Sequence, residues 1–77
     1  MDKFIAERDG YAINSKVKEI INKEGYVALR IIDKEKIKIC EACPVNAGSV
    51  LPLGADTVVS GNQIREYERI ILIENNF

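Results

Sequence analysis

The 77-residue chain has no histidine, only two cysteines and only two prolines. Without histidine it lacks the side chain that most often serves as a general base near neutral pH. A conventional Cys/His zinc site is excluded as well, because two cysteines supply half of the four ligands such a site needs. The chain also lacks a surplus of positive charge. Eleven Lys and Arg stand against twelve Asp and Glu, which argues against nucleic acid, whose affinity rests on neutralising many phosphates. No apolar run approaches the length of a membrane span or of a signal-peptide core, so a cytoplasmic protein with reduced cysteines is expected.

Charge is missing in one place above all. The twenty residues 44–63 carry a single ionisable side chain, Asp56, along with both prolines and three of the five glycines. A solvated loop would be more polar, and a regular helix or strand would not hold so many turn-formers. The tract is therefore expected to lie against something: its own core, another copy of the chain, or a ligand.

The rest of the chain reads as a single small domain, 1–77, with residues 1–12 as an N-terminal arm. Asn14 or Ser15 can cap a helix whose apolar stripe is Val17, Ile20 and Ile21, ending at Gly25. Residues 26–32 and 36–41 alternate like a β-hairpin. A loop at Asp33-Lys34-Glu35 sets Ile31 against Ile37 and Leu29 against Ile39, giving one apolar face. Short strands are expected at 50–53 and 57–59. Residues 60–70 admit a helix starting from a Ser60/Gln63 capping box, but a hairpin leading into a long last strand is preferred. Ile70-Ile71-Leu72-Ile73 suits a strand buried on both faces. The expected class is α+β and mostly β, with an N-terminal helix followed by a small four- to five-stranded antiparallel sheet or partly closed barrel.

Three groups of residues bear on function. Cys40 and Cys43, two residues apart, are weak metal candidates; the simpler reading makes Cys40 a small strand residue and Cys43 a buried loop residue. Arg30 lies opposite Lys38 in the expected hairpin, with Lys36 on the same face, an unfavourable arrangement that a bound anion would relieve. Gly48, Ser49, Gly54, Gly61, Asn62 and Gln63 could offer amides and polar side chains to a ligand, with Arg65, Arg30 or Arg69 gripping its charge. Plain β-turns select the same residues. Catalysis has little support, since Asp56, Glu66 and Glu68 have no evident partner and Ser49, Ser60 and Cys40 no evident base.

Val50, Leu51, Leu53, Val58 and Val59 cluster in the uncharged tract, and a core this small is marginal, so an interface is expected there. The sequence thus points to a small, self-associating, non-catalytic binding protein without a cofactor. It would hold or sequester a small anionic ligand such as a nucleotide at a subunit interface. The alternative is a protein inhibitor or adaptor docking on a foreign protein through 44–63.

Overall fold

The computed structural model describes residues 5–61 and 64–74. Six strands and one helix run in the order β1 (Gly10–Ile13), α1 (Val17–Glu24), β2 (Tyr26–Ile31), β3 (Glu41–Val45), β4 (Thr57–Val59), β5 (Ile64–Glu66) and β6 (Ile70–Glu74). They form one mixed sheet in the order β4-β1-β3-β2-β6-β5, in which only β2 and β3 run parallel. The sheet curls into a half-barrel. The Tyr11 hydroxyl on β1 donates to a Glu66 carboxylate oxygen on β5. Three strands lie between those two in the sheet order, so the bond can form only because the sheet rolls towards itself.

The helix forms where its apolar spacing places it. The Asn14 side-chain oxygen accepts from the Lys16 N–H at 2.9 Å, and the Asn14 carbonyl accepts from the Val17 N–H at 3.1 Å. Such bonds satisfy donors that the first turn leaves open. At the far end the Gly25 N–H closes on the Ile21 carbonyl at 2.7 Å. Val17 and Ile21 are buried in the inner core with Ile13, Val27, Leu29, Ala42, Val59, Ile71 and Ile73. A second core lies on the other face of β1 and β3, where Ala12, Cys43 and Val45 meet Ala6, Ile37, Leu51 and Ala55.

Three expectations need correction. The hairpin of residues 26–41 does not form. The Arg30 N–H donates to the Cys40 carbonyl at 3.0 Å and the Ile32 N–H to the Ala42 carbonyl at 2.8 Å, so β3 joins β2 in parallel. Ile37 turns away to the second core, and its N–H bonds the Leu53 carbonyl at 2.8 Å. The Arg30–Lys38 opposition vanishes with the hairpin: Arg30 pairs with Glu41 and Ile70, and the Lys38 N–H is accepted by the Glu41 side chain.

The sheet therefore has six strands rather than four or five, and it is mixed rather than antiparallel. Most of the extra strand comes from β1, whose residues 10–12 had read as part of an arm; it lies between β3 and β4. Residues 50–53 are not a strand, since Val50 and Leu53 make only isolated bridges, to Ile5 and Lys36. The last strand is as expected in place but buried on one face, with Ile71 and Ile73 inside and Ile70 38% exposed. Its hairpin with β5 forms as expected, closed by the Tyr67 N–H to the Ile70 carbonyl at 2.9 Å.

The bond to Glu66, with some loss of water contact and the nearby negative charge, pushes the Tyr11 phenol from 10.0 up to about 12. The folded state thus holds this proton more tightly than the unfolded state. Its stabilisation is complete below pH 10 and is lost as pH rises towards 12. In alkaline denaturation, Tyr11→Phe is expected to remove this component between those limits. At neutral pH the partly exposed bond is worth only about 0.5 kcal/mol. Identical alkaline profiles for the two proteins would show that the clasp contributes nothing.

Candidate functional site

The uncharged tract is divided between the second core and a cleft. Leu51 and Ala55 pack inward beneath the outer face of β1 and β3. Beside them opens a cleft of about 850 Å³, and ten of its fourteen lining residues belong to 44–63. Pro44, Val45, Asn46 and the run Ser49–Ala55 form most of it, while Asp33, Lys34 and Glu35 form the opposite rim with Cys43 nearby. Val50 and Leu53 are 51% and 68% exposed, so apolar surface continues out of the cleft.

The rim is held by backbone bonds. The Leu53 N–H donates to the Glu35 carbonyl and the Ile37 N–H to the Leu53 carbonyl, each at 2.8 Å. This brings the two chain segments so close that Gly54 has no room for a side chain. A Cβ there would stand 2.4 Å from the Ile37 carbonyl oxygen, and its φ of +93° is one that other residues rarely adopt. The opposite lip is fixed similarly. Ala6 donates to the Ser49 carbonyl, Gly48 donates to the Ala6 carbonyl, and the Asp9 carboxylate accepts from the Ala47 N–H at 2.7 Å.

Electrostatics in and around the cleft are modest. Burial pushes the Cys43 thiol up, and the negative charge of Asp33 adds to the effect, while a contact from the thiol to the Lys34 carbonyl works against it. Cys43 is therefore a poor nucleophile at neutral pH. Asp56, the only charge in the tract, is occupied elsewhere. Partial burial would raise its pKa, but bonds from the Ser15 hydroxyl and amide, from Thr57 and from its own amide outweigh this and lower it. Asp56 ties the start of α1 to the start of β4.

The structure separates most of the residues singled out for ligand binding. Ser49 and Gly54 line the cleft. The Gly48 amide is already bonded to Ala6, and Gly61 sits on an exposed turn. Asn62 and Gln63 lie outside the described residues. Arg30, Arg65 and Arg69 are exposed and none lines the cleft; Arg65 pairs with Glu74 at 2.8 Å. Of the expected interface residues, Val50, Leu51 and Leu53 line the cleft, Val58 is half-buried beside the second core, and Val59 is fully buried in the inner one. Cys40 is exposed and Cys43 buried, and the described residues contain no group of three or more potential metal ligands.

The acidic candidates also part company. Asp56 serves Ser15, Glu66 serves Tyr11, and Glu68 lies exposed in the turn between β5 and β6. Sequence reasoning missed the functional setting of Asp33, Lys34, Glu35 and Asn46. The available signal was a charged triplet between two apolar runs, which reads equally well as a hairpin loop.

No known family matches the chain, and no curated protein matches it. Two crystal structures of molybdopterin biosynthesis moeA proteins from Pyrococcus horikoshii do resemble it. One superposes with a TM-score of 0.80 at 27% identity, over 91% of this chain and 20% of its own. The other has a TM-score of 0.74 at 20% identity, over 95% of this chain and 24% of its own. The chain thus spans about a fifth to a quarter of the length of these neighbours. Biosynthetic proteins as neighbours contradict the non-catalytic reading, whether as a self-associating binder of an anion or as an inhibitor or adaptor. Among the described residues, no helix is long and apolar enough to cross a membrane.

Because Gly54 meets backbone, Gly54→Ala is expected to cost about 2–4 kcal/mol in a urea melt. Gly48 has a similar φ of +88° but open space around it, so Gly48→Ala should cost only about 1 kcal/mol. Equal costs at the two positions would mean that the 35–37 rim is not clamped on Leu53.

Proposed function

We propose that this chain is a unit of the enzymatic machinery of molybdopterin biosynthesis, and that the cleft between residues 33–37 and 49–55 is its contribution to the working site. The observation that supports this most directly is the likeness to the first Pyrococcus protein, which extends over nine tenths of the chain at 27% identity. The cleft has the volume range of small-molecule sites, about 300–1,000 Å³, and the apolar lining typical of them.

The chain's own side chains suit binding and positioning better than proton transfer. Its thiol in the cleft has a raised pKa, and Asp56 and Glu66 are bonded to structural partners. Catalytic groups would come from the parts of the machinery that this chain does not span, in the cytoplasm. Those parts would cover Val50 and Leu53 beside the cleft, and burial of two such side chains is worth about 1.5–3 kcal/mol each.

The test is deletion of the gene in its host, with molybdopterin measured through its fluorescent oxidised derivative. A fall in molybdopterin, reversed by restoring the intact chain, is expected. Unchanged molybdopterin would overturn the proposal.

A further inference from the structure

The walls of the cleft differ in chemistry. Asp33 and Glu35 stand on one rim with Lys34 between them, while Leu51 and Pro52 lie on the other side in the apolar 49–55 run. The rim's backbone is held at Glu35 and Ile37 by the two bonds to Leu53, so its side chains start from a fixed frame. Asp33 reaches deepest: its negative charge is felt at the Cys43 thiol, which is 6% exposed and lines the cleft.

A carboxylate has two in-plane acceptor oxygens and binds most strongly to two adjacent N–H donors lying in one plane. A flat heterocycle with such a donor pair on one edge would also have two apolar faces to lay on aliphatic side chains. The 2-amino-4-oxo edge of a pterin presents this pair, its ring N3–H and exocyclic N–H. We propose that Asp33, with Glu35 beside it, recognises the 2-amino-4-oxo edge of a pterin whose ring lies against Leu51 and Pro52. Lys34 is the only cation lining the cleft, and it is placed to meet a negatively charged substituent carried by that ring. This rests on the reading of the chain as a unit of molybdopterin biosynthesis, which selects pterins from among the compounds that share such an edge.

The test titrates the purified chain with 6-hydroxymethylpterin and follows the fluorescence of the pterin. Saturable binding is expected, weakened about tenfold or more when Asp33→Asn and Glu35→Gln are combined. Both positions are exposed, and circular dichroism checks that the fold is kept. Guanosine, which carries an equivalent amino-oxo edge, should compete, and adenosine, which lacks it, should not. Absence of saturable binding, an unaltered affinity in the double variant, or equal competition by adenosine each overturns the inference. The two proposals fail separately. Molybdopterin lost on deletion without edge-specific pterin binding leaves the functional reading standing. Edge-specific binding with normal molybdopterin removes that reading and keeps the site.

Discussion

Burial of β1 and β3 on both faces is the constraint on which the rest of the structure depends. Ala12, Ile13 and Ala42 are fully buried and Cys43 nearly so, although Ile13 and Ala42 point to one side of the sheet while Ala12 and Cys43 point to the other. Interiors pack at crystal-like density, so two adjacent strands covered on both sides need small side chains and two separate coverings. Helix α1 and the curl of β6 provide one covering, and residues 37 and 51–55 provide the other. The second covering explains the uncharged tract. Segments that cross an apolar sheet face cannot carry charges there without a costly loss of hydration.

The cleft is a by-product of that covering. Residues 49–55 must cross the outer face without forming a strand, and they are tied to 35–37 by an amide on either side of Leu53. Apolar side chains that do not fit beneath the crossing, Val50 and Leu53, remain at its edge. A site of this kind is rigid before any ligand arrives, which lowers the entropy lost on binding. It is also one-sided, in keeping with a unit that spans only a fifth to a quarter of the proteins it resembles.

Local signals were legible where local chemistry decides. The i, i+3, i+4 stripe of Val17, Ile20 and Ile21 between a capping Asn14 and Gly25 located α1 closely. The turn-forming residues before Ile64 and the run Ile70–Ile73 located the last hairpin. The hairpin expected for 26–41 failed because its alternation was coincidental. Ile37 and Leu29 are both buried, but in different cores. Nothing in a period of two tells a strand which sheet face or which partner will accept it. The arm failed for a related reason: Gly10-Tyr11-Ala12-Ile13 is too short to show a pattern, and its value comes from two neighbouring strands remote in sequence.

By itself the sequence determined that the protein has a helix with one apolar stripe, a set of short strands, no histidine chemistry, and one uncharged tract that must lie against something. Each of these follows from side chains within a few residues of one another. Only the tertiary structure decided what the tract covers, that β3 joins β2 in parallel, that Arg30 and Arg65 face away from the cleft, and that Asp33 and Glu35 line it. Those outcomes depend on which distant segments share a face of the curled sheet. That choice is made by the packing of two cores at once and leaves no periodic trace in the chain.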